Sequence, residues 1–318
     1  MGKTLLEYSD WLAERDLRWP APPKPDPISA TPSIGPLDGI RAVIWNIYGT
    51  LLRITDGDLL FQHPQRIRME VAIEKTIQEF NMWNSMIRRP GKPSDYFLPK
   101  YLNAVQEEPL TSGNRKGDIP EINAAQIWMN MIGLLARKEY SYDESFYGDL
   151  EEYVQKIAYF FHASMQGANA AGNALRTLMS IADAGYRQAA LANAQCFTLV
   201  QLTQALRAQG TMHDVTELFA DSLNILSYEW GIRKPSLSLY AQMILRVNEL
   251  EIEPNQVLLV GTRVQDDLAV AKSCGFRTVL YAAEKTSLQA TADDLKNPTT
   301  RPDRMITDLI QLRDILQI

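Results

Sequence analysis

Strand and helix patterns alternate through the second half of the chain, and this alternation limits the possible folds more than any other feature. Short apolar runs such as "QVLLVG" and "RTVLYA" lie beside amphipathic stretches such as "SLSLYAQMILRVNEL". Alternating strands and helices form a parallel sheet with helices on both faces. The sequence therefore predicts an α/β, Rossmann-like core over residues 39–59 and 166–318.

Residues 60–165 have a different pattern and interrupt this core after its first strand. Stretches such as "QRIRMEVAIEKTIQEF" and "DLEEYVQKIAYFFHASM" space their apolar residues as amphipathic helices do. Segments rich in Pro and Gly, such as "RRPGKP", separate them. We expect a helical module here, with residues such as Trp128 in its interior, while "PEINAAQIWMNMIGLLARK" predicts a helix that begins near Pro120.

Residues 1–38 are expected to form an N-terminal helix followed by an extended arm. Apolar residues spaced among charges over residues 4–19 predict an amphipathic helix. The prolines of "WPAPPKPDPISATPSIGP" exclude a regular helix and favour an extended conformation. The arm is expected to pack on the main domain, and an arm that binds a partner protein is the alternative.

Charge and composition exclude several classes of function. A formal charge of −6 and a pI near 5.3 argue against a nucleic-acid binder, which normally presents a basic face. No apolar run approaches the roughly 18 residues of a membrane-spanning helix, so no membrane association is expected. The two cysteines are far apart and no signal peptide begins the chain, which favours reduced thiols and a cytoplasmic location.

Polar residues at the ends of the predicted strands mark the candidate site. Ligands of open parallel sheets bind outside the carboxyl ends of the strands. The residues at these ends are Asn46, Ile47 and Tyr48; Ala192 and Asn193; Lys234; and Thr262 with Asp266 and Asp267. The Asp56–Gly57 pair in "RITDGDLLF" is typical of a β-hairpin turn, and we expect the flap around Asp56 and Asp58 to be solvated.

Four stretches, in order, resemble the motifs of the haloacid dehalogenase superfamily in its helical-cap subclass. They are "AVIWNIYGTLL", "AALANA", "YEWGIRKPSLSLY" and "VLLVGTRVQDDLAVAKSCGF". The helical module of residues 60–165 lies where that family has its cap. The resemblance implies a hydrolase that attacks its substrate with an aspartate and, in the phosphatases, uses Mg²⁺.

This chain departs from the family at most of the catalytic positions. Asn46 stands at the position of the nucleophilic aspartate, and Tyr48 at that of the acid/base for the leaving group. Ala192 stands where the family has a phosphate-binding hydroxyl, and Thr262 where it has the first aspartate of the fourth motif. Two positions are kept, Lys234 and Asp267. An amide is a poor nucleophile, and losing a nucleophile costs about 10⁶ in kcat.

These losses predict a catalytically silent protein that serves as a binding or regulatory module. Mg²⁺ prefers anionic oxygen ligands, so no metal or other cofactor is expected, and Mg²⁺ would be needed only by an active site. Asp267 is the remaining ligand-type carboxylate, with Asp266 adjacent to it. A small anionic metabolite or a protein is the expected partner.

Two other functions stay open. Tyr48-Gly49-Thr50 is similar to the loop of L-2-haloacid dehalogenases, which work without Mg²⁺. An active hydrolase of phosphate esters or 2-haloacids, with Asn46 deamidated or with a relocated nucleophile, is therefore one alternative. A scaffold or oligomerisation protein that uses the arm and the cap as contact surfaces is the other.

Cations near the strand ends are candidates for anion binding. Arg263 follows Thr262 and would replace Mg²⁺ there, or else face solvent as a surface residue. Arg115 and Lys116 lie in a cap loop, where relatives contact substrate. Lys234 would bind an anion together with Asn46, Ile47, Tyr48 and Asn193, or else form a structural ion pair with Asp267.

Overall fold

The computed structural model describes residues 2–85, 91–110, 117–137 and 139–318. Its strands are β1 (Ala42–Trp45), β2 (Leu52–Ile54), β3 (Ile119–Pro120), β4 (Ala168–Ala170), β5 (Arg187–Ala192), β6 (Ile225–Leu226), β7 (Ile232–Arg233), β8 (Val257–Gly261), β9 (Arg277–Tyr281) and β10 (Arg304–Ile306). Its α-helices are α1 (Leu5–Ala13), α2 (Arg66–Glu79), α3 (Pro93–Glu107), α4 (Ala124–Ala136), α5 (Glu144–Tyr147), α6 (Leu150–Met165), α7 (Ala174–Asp183), α8 (Thr198–Arg207), α9 (Ser227–Trp230), α10 (Leu237–Asn248), α11 (Ala269–Ser273), α12 (Ala292–Lys296) and α13 (Leu312–Leu316). Within these described ranges, no helix has both the length and the apolar character needed to cross a membrane.

A parallel sheet of six strands forms the core, in the order β10-β9-β8-β1-β5-β6. In the central strand β1, Trp45 lies in register with Ala190 on one side and Val260 on the other. Every residue of β1 and β8 is buried, as expected for strands that helices cover on both faces. The predicted α/β class is confirmed.

Side chains of the sheet alternate between two hydrophobic clusters. Trp45 faces one cluster, together with Leu202 of α8. Ile44, its neighbour in sequence, faces the other, together with Tyr240 of α10. Successive side chains of a strand point to opposite faces of the sheet, which explains this alternation. The same period determines which layer of helices each side chain faces.

The helices α2 to α6 lie between β2 and β4 and share a third hydrophobic cluster, which contains Trp128. Strand β2 pairs in antiparallel fashion with β4, where the chain returns to the core. The predicted hairpin is therefore wrong. Asp56 and Gly57 do adopt positive φ angles of 70° and 80°, but β2 pairs with β4 rather than with a strand that follows the turn.

The segment before α4 also differs from the prediction. The helix begins at Ala124 because the Asn123 side chain accepts a hydrogen bond from the Gln126 amide, as an N-cap does. Pro120, where the helix was predicted to begin, lies in β3, which pairs with β7 of the core. This pairing holds the helical module against the strand ends.

The N-terminal helix is shorter than predicted and bridges the two parts of the molecule. Helix α1 begins at a capping box formed by Thr4 and Glu7 and ends at Ala13, so residues 14–19 lie outside it. Its Leu12 is buried in the cluster of the helical module. Its Asp10 pairs with Arg207 of α8 in the core.

The proline-rich arm runs along the core. Pro27 forms a β-bridge with Glu284, and Ser33 forms one with Met305 of β10. The Ser33 amide donates to the Met305 carbonyl at 2.7 Å. The arm therefore covers the edge strand β10, whose backbone groups would otherwise be free to pair with another chain.

Candidate functional site

The candidate site lies at the carboxyl end of the central strands. Asn46 follows β1, Thr262 follows β8 and Lys234 follows β7. Asp267 is in a π-helical turn, Val264–Leu268, that leads from β8 into α11. The parallel strands β1 and β8 end at the same edge of the sheet, which brings Asn46 and Thr262 together. Lys234 reaches this edge from β7, which lies outside the parallel sheet and pairs with β3.

Lys234 connects the first and fourth motifs. Its Nζ donates to Asn46 Oδ1 at 3.0 Å and lies 2.6 Å from Asp267 Oδ1. Asn46 Nδ2 in turn donates to the Tyr48 carbonyl at 3.2 Å. The Lys234 and Asp267 side chains are only 1% and 0% exposed, so a molecule in solution does not reach this chain of contacts as it stands.

Electrostatics favour the pairing of Lys234 with Asp267. Burial lowers the pKa of the Lys234 ammonium below its usual range, and the adjacent Asp267 charge opposes this effect without cancelling it. A buried lysine with a carboxylate 2.6 Å away has its charge balanced within the protein. Little of that charge is available to an added anion.

Tyr48 faces away from this network, toward α8. Its hydroxyl donates to Gln201 Oε1 at 2.7 Å and lies 3.1 Å from Thr198 Oγ1. Burial raises the pKa of the Tyr48 hydroxyl well above its usual range. Tyr48 is therefore a structural residue that joins the first-motif loop to α8, and it is a poor proton donor or acceptor for catalysis.

Arg263 and Asp58 form a second ion pair over the site. Arg263 Nη2 lies 2.8 Å from Asp58 Oδ1, and the arginine side chain is 9% exposed. Burial lowers the pKa of the Arg263 guanidinium, but the charges of Asp58 and Asp267 outweigh it and the pKa lies above its usual range. The expectation of a surface arginine is wrong, because the Arg263 side chain is buried against Asp58. The Asp58 side chain itself is 43% exposed, as expected for a solvated flap.

The other predicted residues have varied surroundings. Ala192 and Ile47 are buried in the sheet cluster, and the Ile47 carbonyl accepts backbone hydrogen bonds from Thr50, Leu51 and Leu52. Asn193 Oδ1 accepts from the Lys234 amide at 2.9 Å, and Asp266 is half-buried. Arg115 and Lys116 lie outside the residues that the structure describes.

Sequence reasoning missed Glu121, which comes from the helical module. Glu121 follows β3 and is buried, and its Oε2 accepts from Ser227 Oγ at 2.5 Å. Burial raises the pKa of its carboxyl group. The pairing of β3 with β7 places it near the site, and two paired residues leave no periodic signal in the sequence.

The residues at the site do not fit the magnesium ion that the resemblance implies for phosphatases. Asn46 Oδ1 already accepts from Lys234, and Thr262 contributes a neutral hydroxyl with no hydrogen-bond partner among the described residues. Two cations, Lys234 and Arg263, lie beside the carboxylates. Within the described ranges, no group of three His, Cys, Asp or Glu side chains could hold a metal.

Comparisons with known proteins identify a family model and solved structures that this chain resembles. Residues 231–312, which include Lys234 and Asp267, match the family model described as HAD-hydrolase-like. A 2-haloacid dehalogenase from Pseudomonas syringae pv. Tomato DC3000 is similar at 18% identity and a TM-score of 0.52, over 86% of this chain and 97% of that one. The resemblance to haloacid dehalogenase-like hydrolases is confirmed, and so is their α/β fold with a helical region.

Other solved structures show weaker similarity. An L-2-haloacid dehalogenase from Xanthobacter autotrophicus is 18% identical, with a TM-score of 0.39, over 86% of this chain and 96% of that one. A predicted phosphoglycolate phosphatase from Haemophilus somnus 129pt is 14% identical, with a TM-score of 0.43, over 87% of this chain and 97% of that one. No curated protein sequence matches the chain.

Proposed function

We propose that this HAD-like, hydrolase-like protein is catalytically silent at its strand ends and acts as a binding or regulatory module. The observation that carries the proposal is the state of Asn46. Its amide oxygen is held by Lys234 at 3.0 Å, in a site whose charged side chains already have partners. A neutral amide lacks the charged lone pair with which a carboxylate opens a covalent bond to phosphorus or carbon.

Charge balance supports the same proposal. Lys234 is paired with Asp267, and Arg263 with Asp58. An aspartate at position 46 would add a negative charge, which a divalent cation or an additional cation would have to balance. With an amide there, the two ion pairs balance each other's charge without any added ion, and both buried cations are already paired with a carboxylate.

An assay of turnover tests the proposal. The wild-type protein and an Asn46→Ala variant are compared on phosphate monoesters, such as p-nitrophenyl phosphate, and on L-2-chloropropionate, with and without Mg²⁺. We expect no turnover by the wild type above that of the variant. Turnover that disappears in Asn46→Ala would overturn the proposal, because it would make residue 46 a working nucleophile.

A further inference from the structure

A cavity of about 360 Å³ lies where the N-terminal segment, the helical module and the core meet. Residues from α1, the arm, α6, β4 and α8 line it. We call it the hinge cavity because β4 is where the chain returns from the helical module to the core. Its volume is in the range of small-molecule sites, which occur preferentially at such junctions.

The lining of the hinge cavity carries no formal charge. None of the described residues that line it is Asp, Glu, Lys, Arg or His. Trp19 of the arm and Tyr159 of α6 contribute aromatic rings. Burial raises the pKa of Tyr159 to about 12, which keeps its hydroxyl neutral. The surroundings suit an uncharged, flat molecule, because an ion would lose its hydration without gaining a counter-charge.

Two carboxamides in the lining have atoms free to bind a ligand. Gln201 accepts from Tyr48 through Oε1, which leaves its Nε2 as a donor. Gln204 donates through Nε2 to Ser9 Oγ at 2.8 Å, which leaves its Oε1 as an acceptor.

We propose that the hinge cavity binds a small, uncharged aromatic or heteroaromatic molecule that carries a carboxamide or an equivalent pair of N–H and C=O groups. The N–H group donates to Gln204 Oε1, the carbonyl accepts from Gln201 Nε2, and the ring lies with Trp19 and Tyr159. The hinge cavity is separate from Asn46 and Lys234, so this proposal does not depend on whether the strand-end site is catalytically silent.

A ligand in this cavity would contact three parts of the molecule at once. Leu12 belongs to the N-terminal helix, Ala163 to the helical module and Ala205 to the core, and all three line the cavity. Gln201 also connects the cavity to the first-motif loop through Tyr48. Binding would therefore stabilise the observed arrangement of the helical module on the core.

Benzamide and benzoate are the probes for the test, since they have nearly the same shape and differ in charge. Calorimetry measures their binding to the wild-type protein, and crystals soaked with each locate it. We expect benzamide to bind in the hinge cavity and benzoate to bind at least tenfold more weakly. Gln204→Leu should weaken benzamide binding about fivefold to tenfold, the effect of one lost hydrogen bond.

Two further variants separate a specific site from general binding. Ala205→Phe fills the hinge cavity and should abolish benzamide binding, with Ala208→Phe at its rim used if the first variant does not fold. Ala184→Phe, in a different cavity beside Tyr186, should bind benzamide as the wild type does. Each of three results would overturn the proposal: a soaked crystal whose hinge cavity holds water and no benzamide, equal binding of benzamide and benzoate, or unchanged benzamide binding by the filled variant.

Discussion

At the scale of single residues, the amide of Asn46 and the ammonium of Lys234 determine how charge is balanced in the site. Lys234 contacts one carboxylate, Asp267, and one neutral oxygen, Asn46 Oδ1. Each charged group has a partner of opposite sign, although the whole network is buried. A buried ion pair adds little net stability, but removing one partner leaves an uncompensated charge.

Lys234→Met tests this pairing. Methionine fills a similar volume but leaves the fully buried Asp267 without its cation, so we expect the free energy of unfolding to fall by about 3–5 kcal/mol. Urea denaturation measures the change. The double variant Lys234→Met/Asp267→Leu should recover most of the loss, and a cost below about 1 kcal/mol for the single variant would contradict the assigned pair.

His162 gives the chain a pH-dependent stability. It is buried in α6 with its ring 5.3 Å from that of Phe61 and 5.0 Å from that of Phe197, and burial lowers its pKa to about 3. The unfolded chain binds a proton near pH 6.5, whereas the folded chain does not until near pH 3. Stability from this group is therefore complete above about pH 6.5 and is lost as the pH falls.

Urea denaturation of the wild type and His162→Phe between pH 7 and pH 4 measures this effect. Below about pH 6 the wild type should lose up to about 1.4 kcal/mol per pH unit more than the variant. Phenylalanine keeps the aromatic packing and does not titrate. Parallel pH profiles for the two proteins would show that His162 is not held in its neutral form.

At the scale of elements, short connecting pieces hold the helical module against the core. Strand β3 pairs with β7, and β2 with β4. Helix α1 adds a third connection, because Leu12 packs in the module while Asp10 pairs with Arg207 of α8. The module is therefore joined to the core at β2 and β4, where it begins and ends, through its own strand β3, and through the N-terminal helix.

Leu12→Ala tests the packing of α1. The side chain is 1% exposed, so truncation leaves a cavity and should cost about 2–5 kcal/mol of unfolding free energy. Leu245→Ala is the matched control, because that leucine is 57% exposed and its loss should cost less than about 0.5 kcal/mol. Equal effects in urea denaturation would show that α1 is not packed on the module.

The sequence predicts long elements well and short pairings poorly. Strands β1 and β8 are continuous apolar runs, so burial and strand type both follow from composition. The two residues of β3 have no such signal, and neither does the partner of β2. In the site, the motifs place Asn46 and Lys234 at strand ends. The Arg263–Asp58 pair depends on how two loops meet, which no local pattern encodes.

At the scale of the whole molecule, the N-terminal segment packs along the edge of the sheet and across the junction between the helical module and the core. The arm covers β10, and α1 spans the junction that contains the hinge cavity. The strand-end cations Lys234 and Arg263 are each paired with a carboxylate, although the chain carries a net charge of −6. We therefore expect no divalent cation to be required at the carboxyl end of the sheet.

Thermal unfolding with added Mg²⁺ tests that statement. We expect 10 mM MgCl₂ to raise Tm by less than about 1 °C relative to NaCl of equal ionic strength, since only an ion that binds the folded chain stabilises it. A shift of several degrees that saturates with Mg²⁺ concentration would reveal a specific site. If that Mg²⁺-dependent rise in Tm disappeared in Asp267→Asn, the magnesium site would lie at the strand ends.

The central claim is that residue 46 remains a neutral amide and forms no covalent bond to substrate. Trypsin cleaves after Arg41 and after Arg53, so it releases residues 42–53 as one peptide. Its mass is measured after incubation of the protein with L-2-chloropropionate or p-nitrophenyl phosphate, with Asn46→Asp as the reference for a deamidated residue. We predict the unmodified mass of the asparagine peptide. A gain of about 1 Da, or a substrate adduct on residue 46, would contradict the claim.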